Sequence, residues 1–293
     1  MKRGDGMEFR FYFLKEGTRI YEKTDLITYL VANPNITPSE RNGASGPLIF
    51  TYHHHILNFE AKFVMSDKAV IPHIEKLSPK YFDVNFYVEF DVLLSDYACE
   101  ILLDIIEEIC KRFRFLVFNQ ALEDVISFRR PYLIKTFSSW KRAYADRYPE
   151  AVSKFNNLDP QALSMVYSYL QKRKRLELTM DNEKVVITNY IFLHTDKSRS
   201  AYVGIKWDGD HGFILPPAVD ILLLDDGKVL RYIPMSEIMA KAEKMFQPID
   251  GYGDIQMLEP KYSKKLHKIL CKEKFAPLAA KLDLLSIDNI LDI

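Results

Sequence analysis

Residues 81–94, YFDVNFYVEFDVLL, alternate between apolar and polar side chains and indicate the class of fold. From Phe82 to Val92 every even position is apolar, and every odd position carries Tyr, Asn, Asp or Glu. Side chains alternate between the two faces of a β-strand, so this strand has one apolar and one polar face. A strand inside a parallel sheet that helices cover on both sides is apolar on both faces. The stretch therefore predicts a largely antiparallel sheet.

Two neighbouring segments extend this interpretation. Residues 57–65 alternate in the same way and predict a second half-buried strand. Ser95 is a typical N-cap, and the apolar residues between Ala98 and Ile109 follow the i, i+3, i+4 spacing of an amphipathic helix. That helix can cover the apolar face of the sheet. The predicted fold class is α+β, with a largely antiparallel sheet covered by helices on one face.

The length of 293 residues, 48% of them apolar, favours two domains. We expect an N-terminal α+β domain over residues 1–130 and a C-terminal α+β region over residues 179–293. Between them, residues 131–178 read as a helical connector, because Pro131, Pro149 and Pro160 each suit the first turn of a helix.

The C-terminal region contains several strand and turn signals. Residues 185–193 and 201–207 read as strands, and Asp208-Gly209 and Asp226-Gly227 are typical of tight hairpin turns. The last sixty residues read as mainly helical. The region therefore completes a second α+β assembly.

Composition argues against several functional classes. Forty basic residues balance forty acidic ones, so no long-range field draws the chain to nucleic acid or to an anionic membrane. No stretch reaches the roughly 18 uncharged apolar residues needed to cross a bilayer. Met1–Gly6 precedes no apolar run, so we expect no secretory signal and a soluble, cytoplasmic protein. The three cysteines fit a reducing compartment.

His53 and His55 are the candidate metal ligands. They flank His54 in a histidine triplet, and on a strand they share one face, where two imidazoles can bind one metal ion. The alternation of residues 57–65, continued backwards, points both toward the apolar side. Neutral, hydrogen-bonded structural imidazoles are the alternative.

Asp83, Glu89 and Asp91 are the candidate catalytic residues, because all three lie on the polar face of the strand over residues 81–94. Glu60 can join them from the neighbouring strand. Clustered carboxylates raise one another's pKa and serve as acids, bases or metal ligands. The alternative is a solvated sheet face.

Lys172, Arg173, Lys174 and Arg175 form the densest basic run and are the candidate nucleic-acid contacts. Four cations in the last turn of a helix also interact favourably with the negative end of the helix dipole. The expected position of the run at the end of a helix makes this capping role the preferred interpretation, and nucleic acid is not the preferred partner.

The functional hypothesis rests on the absence of known motifs from the sequence. The sequence has no nucleotide-binding, hydrolase or zinc-binding signature, so we expect no cofactor. The preferred hypothesis is a non-enzymatic protein-interaction or regulatory protein, whose apolar segment over residues 282–291 either contacts a partner or docks on its own core. A metal-dependent hydrolase that uses His53, His55 and the Asp83, Glu89 and Asp91 face is the alternative. Nucleic-acid binding is the third hypothesis, and the sequence does not indicate an oligomeric state.

Overall fold

A computed structural model gives the structure of residues 7–17, 21–39, 46–122, 124–180, 184–225, 227, 230–273, 275 and 281–293. The chain divides into two compact units, Met1–Val152 and Ser153–Ile293. Both units combine helices with mostly antiparallel sheets, so the α+β class is confirmed. Met1–Gly6 and Asp226 of the predicted 226–227 turn lie outside the described residues.

The first unit is built on one antiparallel sheet of six strands in the order β2-β3-β4-β5-β1-β6. The strand predicted over residues 81–94 is β5, and it pairs with β4 on one side and β1 on the other. The elements in chain order are β1 (Glu8–Glu16), α1 (Lys23–Val31), β2 (Ile36–Pro38), β3 (Leu48–His54), β4 (Phe59–Met65), a 3-10 turn (Ile74–Lys76), β5 (Tyr81–Asp91), α2 (Asp96–Phe113), β6 (Leu116–Phe118), α3 (Arg130–Arg147) and α4 (Pro149–Val152).

The core of this unit lies on one face of the sheet, as the alternation predicts. Phe11 and Phe86 point into it from β1 and β5, and both are fully buried. Helix α2 packs Leu102 and Ile106 against these rings, and α1 and α3 add further buried side chains such as Phe137. The Ser95 hydroxyl accepts from the N–H of Ala98, so the predicted N-cap is confirmed.

The other face of the sheet is only partly covered. Ile71, in the segment between β4 and β5, packs with Tyr12, Leu14 and Phe118 in a second small apolar cluster. The remainder of this face carries the charged side chains predicted for it. This partial cover leaves one end of the sheet accessible.

The second unit contains two sheets. In the larger one, β13, β12, β10, β7 and β17 follow one another, with β9 beside β10 and β16 beside β9; the smaller sheet has the order β14-β15-β11-β8. The elements are β7 (Asn156–Asn157), α5 (Pro160–Thr179), β8 (Val185–Ile187), β9 (Tyr190–Thr195), β10 (Ser198–Trp207), β11 (Gly212–Leu215), β12 (Ile221–Asp225), β13 (Leu230–Pro234), α6 (Met235–Ala242), a 3-10 turn (Glu243–Met245), β14 (Phe246–Pro248), β15 (Gln256–Leu258), α7 (Pro260–Lys272), β16 (Leu282–Leu285), a 3-10 turn (Ile287–Asn289) and β17 (Ile290–Leu291).

Strand β11 has buried side chains on both faces. Phe213 packs in a cluster with Leu266 and Leu270 of α7, whereas Ile214 packs with Tyr169 of α5. Successive residues of a strand point to opposite faces. Helices α5 and α7 therefore lie on opposite faces of the smaller sheet.

Three local predictions for this region are wrong. The strand predicted over residues 185–193 is split, because β8 belongs to the smaller sheet and β9 to the larger. The Asp208-Gly209 turn joins β10 to β11, which lie in different sheets, so it is a corner between sheets and not a hairpin. The last sixty residues contain short strands of two to four residues as well as helices, and such strands show no readable alternation.

The three prolines occupy the first turns of α3, α4 and α5, as predicted. Helix α3 ends before the boundary at Val152, and α5 begins after it. The division into residues 1–130, 131–178 and 179–293 stays a prediction. Within the described residues, no helix combines the length and the apolar character needed to span a bilayer.

Candidate functional site

Four charged side chains form a network on the polar face of the first unit. Arg10 donates from Nε to Glu89 and from Nη2 to Glu8, each at 2.9 Å. Lys62 donates to the same two carboxylates, each at 3.3 Å. Cross-strand neighbours on β1, β4 and β5 bring these residues together, because Glu89 pairs with Arg10 on one side and with Lys62 on the other. Two cations thus balance two carboxylates.

The two carboxyl groups of the network have different environments. Burial, together with the neighbouring carboxylate of Glu8, raises the pKa of Glu89 above its usual range. Glu8 is more exposed. Burial raises its pKa, but hydrogen bonding with Glu89, Arg10 and Lys62 and the charge of Lys62 hold that pKa below the usual range. The pKa values of these two adjacent carboxyl groups are therefore shifted in opposite directions.

Strand β1 has an open edge beside this network. Strand β6 pairs with Tyr12, Phe13 and Leu14, and no strand within the described ranges pairs with residues 8–11 on that side. The Met7 carbonyl accepts from Val92 toward β5, while the Arg10 carbonyl accepts from Asn119 Nδ2 at 2.6 Å on the opposite side. Backbone groups of a strand alternate in direction, so Glu8 and Arg10 direct their N–H groups to the open side.

A pocket of about 340 Å³ lies along this edge. Trp140 of α3 contributes an aromatic wall, which meets Phe9 edge to face with ring centroids 6.3 Å apart. Met7 is half exposed at the mouth of the pocket. The pocket is lined by Met7, Glu8, Phe9, Arg10, Tyr12, Asn119, Gln120 and Trp140. It combines apolar surface with backbone, amide and charged groups, as peptide-binding and ligand-binding sites do.

The predicted metal ligands do not face the apolar side. The chain reverses over residues 55–58, and His54 pairs with Phe59, so His54 and not His53 points inward. His53 lies on the polar face, with Nδ1 3.6 Å from the Glu60 carboxylate, and its ring centroid lies 4.6 Å from that of His55 in the turn. The predicted direction of His53 and His55 is wrong, because the alternation of residues 57–65 does not continue through the turn over residues 55–58.

The three predicted catalytic carboxylates have separate structural partners. Asp83 accepts from the backbone N–H groups of Val70, Ile71 and Asn85 at 2.7–3.1 Å. Asp91 accepts from the N–H of Leu93 at 2.8 Å, and Glu89 belongs to the ion-pair network. In the described part of the chain, no three or more His, Cys, Asp or Glu side chains are grouped so as to hold a metal ion. A catalytic role of these carboxylates stays a prediction.

The basic run does not lie in the last turn of its helix. Helix α5 continues to Thr179, four residues beyond Arg175, so the predicted C-terminal capping position is wrong. Arg173 binds Glu177 at 2.9 Å and also Asn189, and Arg175 lies over the ring of Tyr252. Lys172 and Lys174 are exposed on the same helix.

The apolar segment over residues 282–291 belongs to the second unit's own fold. Strand β16 pairs with β9, and Ile290 and Leu291 are buried in β17 beside β7. Leu284 is 76% exposed, and Asp283, Ser286, Asp288 and Asn289 are exposed as well. The end of this predicted contact segment therefore docks on the unit's own core.

Sequence reasoning missed Glu8, Arg10, Asn119 and Trp140. None of them stands in a motif, and their proximity depends on where β6 ends along β1. No protein-family model, curated protein or solved structure matches the chain.

Proposed function

We propose that this chain is a protein-interaction protein whose first unit binds an extended segment of a partner along the open edge of β1. One observation carries the proposal: an incompletely paired strand edge runs beside a pocket that has an aromatic wall. Extended peptides add to such edges through backbone hydrogen bonds, and pockets beside the edge select their side chains. This deepens the hypothesis of a non-enzymatic interaction protein.

The geometry of β1 suggests the chemistry of the bound segment. Side chains of an added strand alternate as those of β1 do. One set points to the side of Phe9 and Trp140, where an aromatic or branched aliphatic residue finds apolar surface. The other set points to the side of Glu8 and Arg10, where polar residues keep their water. We expect a preferred segment with one apolar anchor between polar neighbours.

A library of random peptides displayed on phage is a direct probe of this site. We expect the chain to enrich peptides with an apolar anchor and to bind them with micromolar affinity. Trp140→Ala should weaken binding at least about tenfold, as expected for a central aromatic contact. Tyr132→Ala is the matched control, because Tyr132 is an exposed aromatic residue on the same helix that does not line the pocket.

A second pair of variants separates edge pairing from side-chain contacts. Glu8→Pro removes the N–H group on the open side, whereas Glu8→Gln keeps it, and both variants lose the same carboxylate. Weaker binding by Glu8→Pro alone supports pairing along the edge. Equal binding by the two variants, or a library that yields no enriched peptide, contradicts the proposal.

The metal-dependent hydrolase and nucleic-acid hypotheses have less support from the described residues. Asp83 and Asp91 hold backbone groups, and Arg173 is bound to Glu177. Elemental analysis of the purified chain tests the first hypothesis, since a metal enzyme should contain stoichiometric metal. A steep dependence of affinity on salt tests the second.

A further inference from the structure

Helix α7 carries a cysteine and a histidine that contact each other. His267 and Cys271 are four residues apart, a spacing that places side chains on the same face of a helix. The Cys271 Sγ lies 3.3 Å from the His267 Nε2, and Cys271 is exposed to solvent. A nucleophile and a base are therefore within hydrogen-bonding distance at an accessible position.

The imidazole of His267 is held in place by the corner between β10 and β11. Trp207, at the end of β10, meets the ring edge to face, with centroids 6.4 Å apart. Gly209 lies over the ring, and a Cβ atom at this position would be 2.9 Å from its Cδ2. The positive φ of 87° at Gly209 also favours glycine. This close approach explains the glycine at position 209 and fixes the base beside the thiol.

The corner itself is tied down by Asp208. Its Oδ1 accepts from the backbone N–H groups of Asp210 and His211, and its Oδ2 lies 2.6 Å from the His211 Nδ1. The indole N–H of Trp207 donates to the His211 carbonyl at 2.7 Å. Trp207 and Gly209, which contact the His267 ring, thus belong to a segment with defined geometry.

Helix α7 is basic, whereas Glu273, which pairs with Lys241, follows it and Asp208 and Asp210 flank Gly209 in the corner. Helix α7 has no acidic residue between Pro260 and Lys272, and its exposed positions include Lys264, Lys265, Lys268 and Lys272. Clustered positive charge raises the local concentration of anionic reactants. A small reagent that carries carboxylates is therefore attracted to this helix.

We propose that Cys271 and His267 form a reactive thiol–imidazole pair that takes up low-molecular-weight disulfides bearing carboxylates. His267 Nε2 accepts the thiol proton, and Sγ attacks one sulfur of the disulfide. The new bond joins Sγ to that sulfur, the reagent's S–S bond breaks, and its other half leaves as a thiolate that takes up a proton. Cys271 is oxidised to a mixed disulfide and the reagent is reduced to one thiol. A reducing thiol reverses the step.

The other two cysteines are buried and should contribute little to the measured reaction. All three cysteines of the chain lie in the described part, and Cys99 and Cys110 are buried in the first unit. Burial raises the pKa of the Cys110 thiol to about 12, so this thiol stays protonated near neutral pH. In the native protein, Cys271 is the accessible thiol.

Ellman's reagent, a dianionic disulfide, tests the proposal on the full native chain. We expect one fast equivalent per chain, an adduct on Cys271 by mass spectrometry, and a rate constant at least about tenfold above that of glutathione near neutral pH. His267→Phe keeps a ring beside Trp207 and Gly209 but removes the base, and should lower the rate constant about tenfold or more. His73→Phe, which replaces an exposed histidine of the first unit, should not change it.

A neutral disulfide, dithiodipyridine, separates the roles of charge and base. Lys268→Gln with Lys272→Gln should slow Ellman's reagent more than dithiodipyridine, whereas His267→Phe should slow both. Circular dichroism checks that each variant is folded, and Cys271→Ser with wild-type His267 gives the background rate. The proposal is overturned if Cys271 reacts no faster than glutathione, or if folded His267→Phe reacts at the wild-type rate.

Discussion

Asp83 organises the segment that covers part of the polar face of the first sheet. Its two oxygens accept from three backbone N–H groups, two of them in the segment that carries Ile71. A carboxylate that accepts several backbone hydrogen bonds stabilises the loop it holds. A catalytic carboxylate would be expected at the same position on the polar face of a strand. Only the hydrogen bonds from backbone N–H groups 12 and 13 residues earlier in the sequence distinguish a structural role from a catalytic one.

Replacing Asp83 should destabilise the first unit. Asp83→Ala leaves three backbone donors without this acceptor, and we expect the free energy of unfolding to fall by about 3 kcal/mol. Urea unfolding followed by the fluorescence of Trp140 in a Trp207→Phe background measures it. Asp67→Ala is the control: its carboxylate is 82% exposed in an ion pair with Lys23, so a change within about 0.5 kcal/mol is expected. Equal effects would contradict the structural role.

A buried ion pair connects α3 to the start of α2. Lys141 is 1% exposed, and its ammonium group donates to Asp96 at 2.6 Å and to the Leu94 carbonyl at 3.3 Å. Ser138 donates to the other Asp96 oxygen at 2.8 Å. Helix α3 is thus fixed where Trp140 forms the pocket wall.

Removing one partner of this ion pair should lower the free energy of unfolding by more than the net contribution of the intact pair. Lys141→Ala leaves the Asp96 carboxylate without its ammonium partner and removes packing beside Phe137, so we expect a loss of about 3–5 kcal/mol. Lys141→Met keeps most of the packing and should lose less. Lys135→Ala, at an exposed position of the same helix, should change the unfolding free energy by less than about 0.5 kcal/mol. If Lys141→Ala lowers the free energy of unfolding no more than Lys135→Ala does, the ion pair does not fix α3 to the start of α2.

Helix α5 is joined to the crossing between β8 and β9 by a buried phenol. Tyr169 donates to the Thr188 carbonyl at 2.8 Å, and burial raises the pKa of Tyr169 to about 12. Unfolded tyrosine ionises near pH 10, so between about pH 10 and 12 the unfolded chain binds fewer protons than the native one. This contribution to stability is complete below pH 10 and is lost as the pH rises.

Tyr169→Phe should remove part of the alkaline loss of stability in the second unit. Wild type should lose up to about 1.4 kcal/mol per pH unit from this group across that window, and the variant should show a correspondingly shallower slope. Urea unfolding followed by Trp207 fluorescence in a Trp140→Phe background gives the slope. Tyr202→Phe, on β10, serves as the comparison. Identical slopes for wild type and Tyr169→Phe would show that the buried phenol does not act in this way.

Each of the two units has its own core, and the boundary between them follows α4. Leu133 and Phe137 of α3 are fully buried in the core of the first unit. A fragment of residues 1–152 should therefore unfold cooperatively, whereas a fragment of residues 1–130 should lack a stable core. Circular dichroism melts of the two fragments decide between this boundary and the predicted one. A stable 1–130 fragment would favour the domain limits predicted from the sequence.

Long periodic elements can be predicted from this sequence, whereas features that depend on turns and strand pairing cannot. The strand at Tyr81–Asp91 and the helix after Ser95 are readable because their side chains alternate or repeat over many residues. The direction of His53 is not readable, because a four-residue turn separates it from the alternating strand. The open edge beside Arg10 is also hidden, because it exists only where β6 stops short of the start of β1.

Hydrogen exchange at the Arg10 amide reports directly on peptide binding along the edge of β1. We expect a library-selected peptide to slow exchange of this amide at least about tenfold, because the peptide backbone accepts its N–H, while the neighbouring amide of Phe9, which faces β5, should change little. A bound peptide that leaves the exchange rate of Arg10 unchanged would contradict binding along the edge of β1.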